Sequence, residues 1–82
     1  KFSYVVHAKK SGMIKHTDSK NATSLAKILG APGQKRSGLY LDKKNGEQII
    51  SGEPIFTMYS ESEYNLKEAI ESIKNFPIFE YE

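Results

Sequence analysis

The chain has two histidines, His7 and His16, with Asp18 close behind them. Two imidazoles and a carboxylate could ligate a metal if successive strands brought them side by side. Lys9, Lys10 and Lys15 flank the pair, and their ammonium groups repel a cation, so the histidines read as solvated surface. The serines, from Ser3 to Ser72, sit in no nucleophile-elbow pattern. There is no His-x-x-x-His, Walker phosphate loop or Gly-rich dinucleotide fingerprint. Glu61, Glu63, Glu68 and Glu71 offer carboxylates for acid–base work, but their spacing makes them the polar side of an amphipathic helix. Lys9-Lys10, Lys35-Arg36 and Lys43-Lys44 each border a turn, and with Phe2 and Tyr40 they could form a platform for single-stranded nucleic acid. Lysines at turn ends also keep hairpins soluble and guard sheet edges. The formal net charge of +2 favours that plainer role. The residues therefore supply no catalytic, cofactor-binding or metal site, and nucleic acid is not the expected partner.

The elements that carry these residues follow from periodicity. Phe2, Tyr4, Val6 and Ala8 alternate with polar neighbours, which predicts a strand that Ser11-Gly12 breaks. Met13 to Thr17 reads as a second strand, joined to the first by a short turn. Asp18, Ser19 and Asn21 can each cap a helix, and Ala22, Leu25, Ala26 and Leu29 then form one apolar stripe, predicting a helix over about 22–29. Gly30 supplies a left-handed end and Pro32 stops continuation. Residues 33–37 are a polar loop, and Gly38 to Asp42 a third strand. Asn45-Gly46 predicts a type I′ hairpin turn with positive φ at both residues. Residues 48–50 return as a strand, Ser51-Gly52-Glu53-Pro54 turns again, and Ile55 to Tyr59 is another strand. Ser60 and Glu63 fit a capping box for a second helix over about 61–75, which Pro77 stops. Ile78 to Tyr81 closes the chain as an edge strand. The order β-β-α-β-β-β-α-β predicts an α+β fold of short mixed or antiparallel strands and two helices. No internal repeat, linker or low-complexity segment stands out.

Eighty-two residues make one domain, 1–82, with a small core, since a chain of this size buries only about 60% of its unfolded surface. Leu, Ile, Val and Phe number 19, above the level of a disordered chain. The absence of Cys excludes disulfides, thiolate metal sites and Cys nucleophiles. No apolar run approaches the roughly 20 residues of a membrane-spanning helix. Residues 1–36 hold eight basic residues and one acid, residues 37–82 four basic and nine acidic. That asymmetry suits two solvated faces of one domain or a bipolar surface that meets a partner. The chain starts at Lys1 without Met, which suggests a piece of something longer.

Two resemblances bear on function. Gly46-Glu47-x-Ile49-x-x-Gly52-Glu53-Pro54-Ile55 resembles a segment of biotinyl and lipoyl carrier domains. Lys43 stands only three residues before Gly46 and no Met-Lys-Met occurs, so the likeness implies a shared hammerhead turn rather than a carrier lysine. A fuller match begins with Ala8-x-x-Ser11-Gly12-x-Ile14 and Leu29-Gly30-Ala31-Pro32. It continues with Ser37-Gly38-Leu39-Tyr40-Leu41-x-Lys43-Lys44-x-Gly46-Glu47 and Gly52-Glu53-Pro54-Ile55-Phe56-Thr57-x-Tyr59-x-Glu61. This ordered set, covering nearly the whole chain, resembles the C-terminal domain of the thymidine/pyrimidine nucleoside phosphorylase family. Leu-Gly-Ala-Pro and Ile-Phe-Thr-x-Tyr are more similar to the AMP phosphorylase branch, since the pyrimidine branch tends to carry Leu-Gly-Ala-Gly-Arg at the first site.

The resemblance implies an α/β-hammerhead domain, excised from a cytoplasmic enzyme that cleaves an N-glycosidic bond with inorganic phosphate, giving free base and sugar 1-phosphate. Phosphate is then a co-substrate, and no organic cofactor is expected. The family's phosphate- and base-binding residues belong to upstream domains with no counterpart in this chain, so no catalytic residue carries over. The implied role is structural: docking on the other domains and subunits of a homo-oligomeric parent acting on thymidine, uridine or AMP. The alternative is a stand-alone hammerhead module that binds RNA or a protein partner.

Overall fold

Two antiparallel three-stranded sheets and two helices make up a computed structural model that describes residues 2–82, so Lys1, the first residue of the expected domain, lies outside the described residues. The element order is that of the sequence reading: β1 (Phe2–His7), β2 (Gly12–Thr17), α1 (Ser19–Leu29), β3 (Gly38–Leu41), β4 (Gln48–Ile49), β5 (Pro54–Ser60), α2 (Glu63–Ser72), a 3₁₀ turn (Ile73–Asn75) and β6 (Phe79–Tyr81). The class is α+β, as expected. One sheet runs β1-β5-β3 and the other β4-β2-β6. The core gathers Leu25 and Leu29 of α1, Leu66 and Ala69 of α2, Phe56 and Met58 of β5, and Ala8, Ile14, Ile49, Ile55, Ile78 and Phe79.

Both helices differ slightly from expectation at their starts. The Asp18 carboxylate accepts the Asn21 amide at 2.9 Å, so α1 begins at Ser19, three residues before its apolar stripe. Its first turn is polar, and apolar periodicity does not register it. The capping box at Ser60 is overturned. Ser60 ends β5 fully buried, and its hydroxyl donates to the Leu29 carbonyl at 2.7 Å while accepting the Ser62 amide at 3.1 Å. Ser62 caps α2 instead, accepting from the Asn65 amide at 3.2 Å. The expected 61–75 helix is thus α-helical over Glu63–Ser72 and tightens to 3₁₀ over Ile73–Asn75.

The type I′ hairpin is also overturned. No non-glycine residue among those described has positive φ, so Asn45 does not meet the type I′ requirement, while Gly46 sits at φ 88°. β3 pairs with β5 and β4 with β2, so the strands flanking this turn enter different sheets. The turn instead recurs six residues later, a repeat not visible in the sequence reading. In Lys44–Glu47 and in Ile50–Glu53, the fourth residue's amide donates to the first residue's carbonyl, at 3.1 and 3.0 Å. In each, the glutamate side chain accepts the first residue's amide at 2.8 Å. Glycine takes the third position of each, with Gly52 at φ 95°. A positive φ there alone is the type II pattern. Each turn also straps a residue in or just beyond an earlier strand. Gly46 donates to the Ile14 carbonyl at 2.8 Å and Glu47 accepts the Ile14 amide at 2.9 Å. Gly52 and Glu53 exchange the same pair of bonds with Ala8, both at 2.8 Å.

Gly46→Val places a branched β-carbon at positive φ where the surrounding space is open, so the cost is one of backbone conformation, about 1–3 kcal/mol. An unchanged urea midpoint would show the turn to be wrongly described. Ser60→Ala strands a buried carbonyl at the end of α1 and an amide at the start of α2. It is expected to lower stability by about 1–3 kcal/mol in the same measurement.

Candidate functional site

The residues considered for chemistry fall on separate parts of the molecule. His7 ends β1 in one sheet and His16 lies on β2 in the other, opposite Glu80, because the chain after β1 does not fold back as a hairpin. Asp18 is engaged as the cap of α1. Among the described residues no three histidine, aspartate or glutamate side chains come together in a metal-holding group. Several serine hydroxyls serve the fold: Ser11 accepts the Ser51 amide, Ser37 donates to Gln34, Ser60 donates to the Leu29 carbonyl, Ser62 accepts the Asn65 amide and Ser72 donates to the Glu68 carbonyl.

The helix N-termini, where backbone amides could cradle a phosphate, are already capped by side chains of the chain itself. The Asp18 carboxylate caps α1, and the Ser62 hydroxyl caps α2, with Glu63 in its first turn. Glu61, just ahead of α2, accepts the Arg36 amide at 3.1 Å, and its own amide donates to the Ser37 hydroxyl at 3.1 Å. The polar loop carrying Lys35 and Arg36 is therefore tied to the acidic helix's start.

The lysine pairs also separate. Lys9 and Lys10 stand exposed in the turn after β1, and Lys35 and Arg36 are exposed in their loop. Lys43 is no swinging arm: its side chain is 21% exposed and its ammonium lies 3.8 Å from Glu53. Phe2 and Tyr40 cannot form one stacking platform, because the register sets Phe2 opposite Ser60 and Tyr40 opposite Thr57, on opposite faces of the sheet.

A feature that the sequence reading missed is an apolar depression of about 440 Å³ between the end of β1, the 3₁₀ turn and β6. Phe56, Ile78 and Phe79 form its floor, and His7, Lys9, Lys10 and Lys74 stand among its lining residues. Phe79 meets Phe56 edge-on at 6.2 Å between ring centres and Tyr81 at 6.4 Å. Burial against this cluster pushes the Tyr81 hydroxyl above the ordinary tyrosine range. The only signal in the sequence was the alternation of Phe79 and Tyr81, which announced a strand and not a cavity.

With the geometry in view, comparison with known proteins finds two kinds of match. Residues 13–78 match the family described as the pyrimidine nucleoside phosphorylase C-terminal domain. AMP phosphorylase 2 of Archaeoglobus fulgidus is 37% identical over 78 residues, covering 95% of this chain and 15% of that protein. The AMP phosphorylase of Pyrococcus abyssi is 41% identical over 68 residues, 83% of this chain and 14% of that protein. A protein of Legionella pneumophila provisionally named a thymidine phosphorylase is 36% identical over 75 residues, 92% of this chain and 14% of that protein. The chain thus spans about one seventh of the length of these relatives.

A raised Tyr81 means that the folded state holds its proton to higher pH than the unfolded state does. The stability it confers is full below the unfolded tyrosine value, about 10, and is lost as pH rises through that value toward the folded one. Urea midpoints for the chain and for Tyr81→Phe are expected to show the tyrosine form falling more steeply above pH 10. Parallel curves would show that Tyr81 ionises as a free phenol.

Proposed function

Because the chain belongs to the pyrimidine nucleoside phosphorylase C-terminal domain family, we propose that it is the structural and assembly domain of a nucleoside or nucleotide phosphorylase. The parent reaction in this reading is cleavage of an N-glycosidic bond by inorganic phosphate, giving free base and sugar 1-phosphate. Phosphate is the co-substrate and no organic cofactor takes part. The observation that carries the reading is the family match over 13–78 in a chain spanning a small fraction of its relatives' length. In this reading the substrate-holding parts of the enzyme lie elsewhere, in a larger protein taken here to be homo-oligomeric and cytoplasmic. Among the described residues no helix is long and apolar enough to cross a membrane.

Two features of the chain support a role without chemistry of its own. Several of its hydroxyls bond backbone groups at caps and turns, and both helix starts are capped by its own side chains, Asp18 and Ser62. AMP is the favoured parent substrate, from Leu29-Gly30-Ala31-Pro32 and from the names of the archaeal relatives. Thymidine is the second, from the Legionella relative.

Incubated with inorganic phosphate and AMP, thymidine or uridine, the chain alone is expected to release no base. At moderate salt it is expected not to retain single-stranded RNA. Base release that depends on the chain would overturn the non-catalytic role. Tight RNA binding would favour the stand-alone module instead.

A further inference from the structure

We infer that the groove along β1 takes an extended polypeptide segment in which apolar side chains alternate with carboxylates. This stands independently of the phosphorylase reading, since it rests on the shape and charge of this surface alone. The 440 Å³ depression adjoins a second hollow of about 800 Å³, and the two share Val6, His7, Lys9, Ile73 and Lys74. Together they form one trough that starts beside Tyr4, follows β1, passes the end of α2 and finishes at β6.

Three observations set the occupant. The first is an uncovered apolar strip. Phe2, Tyr4 and Val6 share the sheet face of Met58 and Ser60, against which the helices pack, yet Phe2 and Tyr4 remain 40% and 44% exposed. The second is charge. Lys9, Lys10 and Lys74 line the trough with His7, and Glu71 is its only carboxylate among the described residues. None of the three lysines makes an ion pair among those residues, whereas Lys43 does. Gathered ammonium groups repel one another, and carboxylates placed between them relieve that repulsion.

The third observation is shape. β1 is an edge strand, so its outer backbone groups are open to another strand. Its six residues run roughly 20 Å, the reach of an extended segment rather than of a compact metabolite. Laid along the edge of β1, such a segment would set its apolar side chains against the Tyr4–Val6 strip, and its carboxylates would come within reach of the lysines where it passes the end of β1 at Lys9 and Lys10.

The test is a titration of the isotope-labelled chain, followed by amide NMR, with a short synthetic peptide alternating glutamate with valine and phenylalanine. Saturable shifts are expected at Val6, Lys9, Ile73 and Phe79. Affinity should fall by about tenfold or more for the double variant Lys9→Glu with Lys74→Glu, and for a peptide carrying lysine in place of glutamate. Lys35→Glu, in the loop tied to Glu61, should leave it unchanged. The lysine peptide on the unmodified chain keeps the test decisive should the double variant lose its fold. Absence of saturation, shifts confined to other surfaces, or equal binding of the lysine peptide would overturn the inference. Dodecanoate filling the trough where the glutamate peptide does not would overturn it too, and would mark a small-molecule site.

Discussion

Gly46 and Gly52 turn the chain at φ values that side chains with a β-carbon rarely adopt, and the rest of the architecture hangs on those two turns. Each closes on its own glutamate and each exchanges two backbone hydrogen bonds with a residue from far earlier in the sequence. Ala8, strapped by the second turn, lies just past β1 of one sheet. Ile14, strapped by the first, lies within β2 of the other. The two straps therefore fix where one sheet ends and the next begins. Ala8, Ile14, Ile49 and Ile55, which flank them, are all buried in the common core. With that junction set, Phe56 can reach Phe79 across it.

Most elements were legible because their information is local. Leu25 and Leu29 recur at helical spacing, and Leu66 and Ala69 do the same in the second helix. What escaped was decided at a distance. Ser60 and Ser62 are equally good caps by local chemistry, and the choice between them turns on the Leu29 carbonyl, thirty-one residues away from Ser60. Asn45-Gly46 announces a turn but says nothing of which strands flank it, since β3 and β4 find partners elsewhere in the chain. The six-residue echo of Gly46-Glu47-x-Ile49 in Gly52-Glu53-x-Ile55 was present in the sequence, too short to mark a repeat until the bonds showed it. The candidate site was least legible. Alternation along β1 predicts an inner face, but only packing reveals that the helices leave its first half uncovered.

The uneven charge acquires a physical meaning as well. Four of the nine acids of the second half accept from backbone or hydroxyl donors: Glu47, Glu53 and Glu61 each accept an amide, and Asp42 accepts the Thr57 hydroxyl at 3.0 Å. Bonds of this kind, with an ionised acceptor, are stronger than neutral ones and order the loops that hold them. The bases of the first half have no matching duty, and among the described residues the single ion pair joins Lys43 to Glu53.

The pairing of β1 with β5 has a temporal consequence. Phe2 lies opposite Ser60, and β2 finds its second neighbour only at Phe79–Tyr81. Neither sheet can be completed from contiguous chain, so the loops to be closed are long and their entropy must be met before most native contacts form. During synthesis, at about 5–20 residues per second, β1 waits several seconds as an unpaired, partly apolar strand before β5 emerges. The α1 helix, whose contacts within itself are local, can form in that interval. The sheets are thus the last parts that synthesis allows to close, and β1 is the strand that waits longest for its partner.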